Sequence, residues 1–250
     1  MNEWIDDFKN AVGFLTRLPM PHPEGAMPPN FVRAQRMFGI VGAMIGAAVG
    51  LLCLGLRTLG VPDLAAGALA LGAGAILTGA LHEDGLADVA DGFGGGRDVA
   101  AKLEIMRDSR LGTYGALILL VSFVAKLSAL AAIPDSDVVQ SLISAHALAR
   151  GVLPWMAMSL PYARKDGLAA NAGRPDAATA AIAAALALVI ALLSLSFVNA
   201  LLAAIMAAAG AIGMARLAQR QIGGQTGDVL GGAEQVAETA ILVLLAARLA

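Results

Sequence analysis

Apolar residues run along this chain in long blocks separated by short polar breaks. Seven such blocks stand at about 37–59, 64–81, 113–133, 138–160, 177–197, 199–217 and 235–249. A helix rises 1.5 Å per residue, so about 20 apolar residues cross a ~30 Å hydrocarbon layer. The stretch 177–217 is too long for one crossing, and Ser196 and Asn199 mark a hairpin between two. Ahead of the first block, Trp4, Ile5, Phe8, Val12 and Leu15 fall near helical spacing, with Asp6, Asp7 and Lys9 among them. That pattern predicts an amphipathic helix lying at the membrane interface. It does not fit a secretory signal, which needs a basic start, an apolar run and a small-residue cleavage site. Pro19, Pro21, Pro23, Pro28 and Pro29 then exclude regular structure. The expected fold is an all-α integral membrane protein: a polytopic bundle of about seven transmembrane helices behind an N-terminal interfacial amphipathic helix. It forms one membrane-embedded domain over residues 1–250, with 1–36 as the interfacial segment.

Composition supports the bilayer reading. Apolar residues make up 58% of the chain and charged residues 14%, against about 25% charged in an average soluble domain. One cysteine, Cys53, lies within an apolar run, which excludes an intramolecular disulfide. A formal net charge of −2 provides no basic field to recruit nucleic acid.

Charge placement sets an expected orientation. With the N-terminus in the cytoplasm, loops 1–36, 82–112, 161–176 and 218–234 fall on the cytoplasmic side. Together with Arg216 they hold thirteen of the seventeen Lys and Arg residues, while the opposite side holds only Arg57 and Arg248. That asymmetry obeys the positive-inside rule. Small residues stud the spans, as with Gly39, Gly42, Gly46 and Gly50 at intervals of three and four. Such spacing lets helices approach closely. No internal repeat emerges, which argues against an inverted-repeat transporter.

Segment 82–110 carries the densest chemistry, with seven of the nineteen acidic residues in 29 positions. Asp84, Asp88 and Asp91 stand at i, i+4 and i+7, within roughly 60° of one helix face. Like charges at i, i+4 destabilise a bare helix. The arrangement makes sense around a hard cation, and carboxylate oxygens are what Mg²⁺ takes. Asp98 and Glu104 read as solvated loop residues. Glu83 projects about 100° from Asp84 and is the weaker ligand. His82 reaches substrate only if the helix ends or turns there.

Gly94, Gly95 and Gly96 form a joint before a short helix at about 97–107. Arg107, Asp108, Ser109 and Arg110 follow. Guanidinium pairs suit bidentate phosphate contact, and the alternative is snorkelling at the interface. Asp108 either completes the metal site or orients an arginine. A second cluster, Gly223-Gly224-Gln225-Thr226-Gly227-Asp228, offers backbone N–H groups to a phosphate. It lacks the lysine of a nucleotide-binding P-loop. Asp228 is a further metal ligand, a general base, or a cap for the last span. Lys126, His146 and Arg150 lie inside spans, where ionisable groups face an interior or a polar cavity. Lys126 is near enough to an end to snorkel.

Phe14-Leu15-Thr16-Arg17-Leu18-Pro19, Thr78 through Gly92, Leu103 through Thr113, Tyr162-Ala163-Arg164 and Gly223 through Gly231 together resemble the cobalamin synthase family, the adenosylcobinamide-GDP ribazoletransferases. Glu83 departs from that pattern, where an apolar residue is expected. The resemblance implies a bacterial inner-membrane transferase that joins adenosylcobinamide-GDP and α-ribazole, or its 5′-phosphate, and releases GMP. It implies Mg²⁺ as cofactor, active-site loops facing the cytoplasm with 82–112 as the catalytic loop, and small-molecule substrates with no nucleic acid. A homo-oligomer is compatible with it. Under this reading the catalytic candidates are Asp84, Asp88, Asp91, Asp108, Arg110 and Asp228. The metal ligands are Asp84, Asp88, Asp91 and Asp228. The substrate contacts are His82, Arg107, Ser109, Lys126, Arg150, Arg164, Gly224 and Thr226. No serine–histidine or cysteine nucleophile pattern occurs, which favours direct transfer.

Two other readings remain at this point. A CDP-alcohol phosphotransferase also sets aspartates at a span end. Asp88-Val89-Ala90-Asp91-Gly92 begins its pattern, but no Ala-Arg follows at the required spacing. A cation transporter would carry its acidic residues near mid-membrane rather than at a span end.

Overall fold

The computed structural model describes residues 3–20 and 30–249. In chain order the elements are α1 (Glu3–Leu15), α2 (Phe31–Ala34) with a 3₁₀ turn over Gln35–Met37, α3 (Phe38–Thr58), α4 (Asp63–Thr78), α5 (Leu81–Gly95), α6 (Val99–Ile105), α7 (Thr113–Ala132), α8 (Val138–Gly151), α9 (Leu153–Ser159), α10 (Leu168–Ala172), α11 (Ala177–Ser194), α12 (Phe197–Ile222) and α13 (Gly227–Leu249). No strand occurs among the described residues, and the all-α polytopic membrane fold stands. Pro21, Pro23, Pro28 and Pro29 lie outside the described residues.

Among the described residues five helices are long and apolar enough to cross a bilayer, or six if the bent pair α4–α5 forms one broken span, against the seven expected. The apolar run at 138–160 breaks at Val152 into α8 of 14 residues and α9 of 7, with Pro154 in the first turn of α9. The last span begins at Gly227 rather than 235, so it takes polar residues into the bundle. The hairpin near 196 is as expected. Ser196 caps α12, accepting from the Asn199 N–H at 3.4 Å.

Glycine spacing brings α3 and α8 together. A Cβ at Gly42 would collide with the His146 carbonyl, one at Gly46 with the Leu142 carbonyl, and one at Gly50 with Val139. Backbone therefore meets backbone along this seam, which is how small residues drive association in lipid. Val41, Ile45, Val49 and Cys53 fill the core beside it.

α1 docks differently from its apolar pattern. Trp4 and Ile5 are exposed, while Asp7 is completely buried. Asp7 pairs with Arg33 at 2.9 Å and Arg36 at 2.7 Å, and Arg36 stacks 3.7 Å over the Trp4 ring. Ion pairs thus tie the amphipathic helix to α2 and the 3₁₀ turn ahead of α3.

Between α4 and α5 the chain turns by 91°. Gly79 and Ala80 both take left-handed backbone conformations, with φ of 67° and 54°. For alanine this costs roughly 1–2 kcal/mol, so packing must hold the turn. The Arg17 N–H donates to the Leu77 carbonyl at 2.8 Å, and the Arg17 guanidinium lies against Gly79.

The loops expected on one side do gather at one pole. Arg107 pairs with Asp166, Gln35 donates to the Gly173 carbonyl at 3.0 Å, and the Ala163 N–H donates to the Gln225 carbonyl at 2.9 Å. At the other pole Arg57 pairs with Asp135 at 2.9 Å, and Arg248 donates to Asn199 at 3.2 Å.

Candidate active site

The turn after Thr78 delivers His82 and Asp84 to the wall of a cleft in the first turn of α5. Gly227, Asp228 and Gly231 of α13 form the facing wall. The two helices touch through glycine. A Cβ at Gly85 would stand 2.8 Å from the Asp228 carbonyl oxygen and 3.0 Å from its Cα, and one at Gly231 would stand 3.2 Å from the His82 Cα. This contact sets Asp84 and Asp88, on either side of Gly85, beside Asp228. Asp88 lies within electrostatic reach of Asp84, Asp228, Asp91 and Arg164.

Asp228 is anchored from both sides. Its Oδ2 accepts from Arg164 at 3.1 Å and from the Thr226 hydroxyl at 3.1 Å. Thr226 itself caps α13, its Oγ1 accepting from the Val229 N–H at 3.2 Å. Capping therefore falls to Thr226, and the Asp228 carboxylate is free for other work. The glycine-rich turn is pinned rather than open. The Gln225 N–H donates to the Pro161 carbonyl at 2.8 Å, and a Cβ at Gly224 would collide with that same carbonyl. Gly224 thus serves close packing against loop 160–166, and Gly223 ends α12 with a left-handed φ of 76°.

Asp91 shares the helix face but points elsewhere. It is buried, and its oxygens accept from the Gly112 N–H at 2.8 Å and the Gly115 N–H at 2.9 Å. The carboxylate thereby closes the N-terminus of α7, whose first N–H groups have no partner within the helix. Asp108 turns to Arg110, whose hydrogen bonds hold the Asp108 carboxyl at about 2. Of the two readings of Asp108, the structure adopts the arginine-orienting one. Arg107 is exposed and reaches Asp166 two residues from Arg164. Ser109 is exposed at the same pole. Asp98 caps α6, accepting from the Ala101 N–H at 2.9 Å.

Lys126 and Arg150 do not line this cleft, and Lys126 does not snorkel. Both are buried in an ion-pair network inside the bundle. Lys126 Nζ donates to Gln235 at 2.7 Å and to Glu238 at 3.1 Å. Arg150 pairs with Glu234, and His146 Nδ1 lies 2.9 Å from Glu238. His82 connects this network to the cleft, its Nδ1 lying 3.5 Å from Glu234 and 3.4 Å from Arg150. Among the described residues, His146, Glu234 and Glu238 are the one set of three metal-binding side chains within 4.8 Å of one another. Lys126 and Arg150 already neutralise both glutamates, so this is charge pairing in a low-dielectric interior. The four aspartates stand at wider spacing.

Glu234, Gln235 and Glu238 escaped the sequence reading. Their signal was two glutamates at i, i+4 within a Gly- and Ala-rich helix, matched in charge by Lys126 and Arg150.

Oxygen-only donors from two helices, with Arg164 as the nearest cation, suit Mg²⁺ and phosphate together. The donor chemistry at Asp84, Asp88 and Asp228 therefore fits that cofactor.

The cobalamin-5-phosphate synthase family model matches residues 7–246. An adenosylcobinamide-GDP ribazoletransferase of Bradyrhizobium diazoefficiens is 45% identical over 97% of this chain and 94% of its own. Proteins of the same name from Sinorhizobium sp. and Azorhizobium caulinodans are each 42% identical, over 98% of this chain and 98% and 97% of their own. No solved structure matches.

Proposed function

This chain belongs to the cobalamin-5-phosphate synthase family, and from that membership we propose that it acts as an adenosylcobinamide-GDP ribazoletransferase of cobalamin synthesis. Its substrates are adenosylcobinamide-GDP and α-ribazole or the 5′-phosphate. A ribose hydroxyl oxygen of the acceptor bonds to the corrinoid-proximal phosphorus. The bond from that phosphorus to the bridging oxygen breaks, GMP leaves, and the hydroxyl proton departs with it. The product is adenosylcobalamin or its 5′-phosphate.

One observation carries the assignment of residues: the glycine contact between α5 and α13 that sets Asp84 and Asp88 against Asp228. These three carboxylates would hold Mg²⁺. The ion they would hold would supply neutralising charge to the diphosphate. Arg164, held beside Asp228, offsets charge on the phosphate oxygens. Arg107 and Arg110, with Ser109, stand at the same pole and meet the outer phosphates. Asp91 supports the face by anchoring α7, and Asp108 keeps Arg110 oriented. Lys126 and Arg150 act through the buried network behind His82. The cleft opens toward the cytoplasm of the inner membrane, as the Lys and Arg asymmetry requires.

The test is GMP release from adenosylcobinamide-GDP by purified protein in lipid, with and without Mg²⁺. Turnover that needs both nucleoside acceptor and Mg²⁺ supports the reading. Metal-independent turnover removes Mg²⁺ from it, and no release with any acceptor removes the reaction.

A further inference from the structure

We propose that Arg150 is a positioning residue that locks His82 in one tautomer, so that His82 offers the cleft a hydrogen-bond donor rather than a proton acceptor. This rests on the transferase reading and adds to it the role of one side chain and the device that sets that role. His82 reaches the cleft because the chain turns by 91° just ahead of it, which puts it in the first turn of α5 on the same wall as Asp84, facing Asp228. Its backbone is held there by α13, where a Cβ at Gly231 would stand 3.2 Å from the His82 Cα. The buried ring looks two ways. Nδ1 points into the bundle, 3.4 Å from Arg150 Nη2 and 3.5 Å from a Glu234 oxygen. Nε2, on the other edge of the ring, has no partner among the described residues and opens on the cleft.

Arg150 decides which ring nitrogen carries the proton. A guanidinium has only donors and stays charged. Its Nη2 therefore donates to His82 Nδ1, which must present a lone pair. In a neutral imidazole the proton then sits on Nε2. A carboxylate only accepts, so Glu234 favours the opposite tautomer, but its oxygens are already engaged. Oε2 accepts from the Gln235 side chain at 3.0 Å, and Oε1 pairs with Arg150 Nη1. Arg150 is itself fixed. It is buried, and its Nη1 lies 2.8 Å from His146 Nδ1 and 3.4 Å from Glu238. The far side of the ring points to the same tautomer. Nε2 faces a cleft whose carboxylates, Asp84 and Asp228, only accept, as do phosphate oxygens. A lone pair there would find no donor among them, whereas an N–H binds a phosphoryl oxygen and steadies the charge that develops on it. His82 acts in this way without taking up a proton.

The experiment begins with nuclear magnetic resonance of full-length protein in nanodiscs, labelled with ¹⁵N-histidine. The chain has three histidines, and the signals lost in His82→Gln assign His82. Wild type should show a neutral His82 with Nδ1 unprotonated and Nε2 protonated. A proton on Nδ1, in the other tautomer or in the imidazolium, would overturn the proposal. Arg150→Met combined with Glu234→Gln removes the donor together with its matching charge. Protonated Nδ1 should then become populated at His82. An unchanged His82 spectrum in the folded double variant would show that Arg150 does not set the tautomer. GMP release reads the donor role. His82→Gln keeps an amide N–H near the lost Nε2–H and cannot take up a proton. Its kcat should stay within about 10-fold of wild type, whereas His82→Leu should lose about 100-fold or more, the usual effect of removing one such donor. Equal losses in the two variants would overturn the donor role. Should wild type release no GMP, the transferase reading falls by itself, and the ¹⁵N spectra still decide whether Arg150 fixes the tautomer.

Discussion

The Asp228 backbone lies so close to Gly85 that a methyl group at Gly85 would sit 2.8 Å from the Asp228 carbonyl oxygen. No side chain can yield there, since the obstructing atoms belong to the backbone of α13. The two carboxylate walls are therefore spaced by the absence of one Cβ. Gly85→Ala should push α5 from α13 while leaving every candidate ligand in place. A displacement near 1 Å costs on the order of 100-fold in rate. Measured kcat should fall by about that factor with the protein still inserted and monodisperse. Near-normal kcat would show that the spacing of the walls is not what the reaction needs.

Asp84→Asn and Asp88→Asn should nearly abolish turnover, because each removes a ligand charge and keeps the side chain's size. Asp98→Asn is the control. Asp98 caps the seven-residue α6, so its loss costs stability of about 1 kcal/mol or less and leaves activity intact. Equal damage from all three would point to a general disturbance of the segment rather than a metal face.

Asp91 separates a structural carboxylate from a ligating one. Both its oxygens accept from backbone N–H groups at the start of α7. Asp91→Ala should lower stability by about 1–2 kcal/mol, as for a lost cap, read as a drop in Tm. The Mg²⁺ concentration for half-maximal turnover should move far less in Asp91→Asn than in Asp88→Asn. Equal shifts would make Asp91 a ligand after all.

Removing one charge from the buried network should be severe. Glu238 accepts from Lys126 at 3.1 Å and lies 2.9 Å from His146, so Glu238→Gln leaves Lys126 uncompensated in the bundle. Breaking a buried pair in this way costs roughly 3–5 kcal/mol. Lys126→Met in the same chain should recover part of that loss, because it removes the stranded cation. Thermal unfolding of the single and double variants measures the coupling, and strict additivity would contradict the pairing.

Orientation is open to a direct test in a Cys53→Ala background. Asp98→Cys and Gly223→Cys lie at exposed positions of one pole, and Leu59→Cys lies at the other, where Leu59 is 82% exposed. An impermeant thiol reagent should reach Asp98→Cys and Gly223→Cys from the cytoplasmic side only, and Leu59→Cys from the opposite side only. Labelling of the first two from different sides would dismantle the composite cleft.

Local order was readable along the chain because each cause is local. Runs of apolar residues mark most of the membrane-length helices, although the run at 138–160 breaks at Val152. Repeats at i, i+4 and i+7 put Asp84, Asp88 and Asp91 on one face, and clustered Arg and Lys mark one pole. Periodicity says which residues share a face of a helix, but not which helix stands opposite. Packing alone decided that Asp91 turns to the N-terminus of α7 while Asp84 faces the cleft. Nothing in the periodicity singles out Glu234 and Glu238, and their burial depends on Lys126 and Arg150 arriving from α7 and α8. The 91° turn at Gly79 and Ala80 likewise depends on Arg17, more than sixty residues away in sequence, because a left-handed alanine persists only where distant contacts hold it.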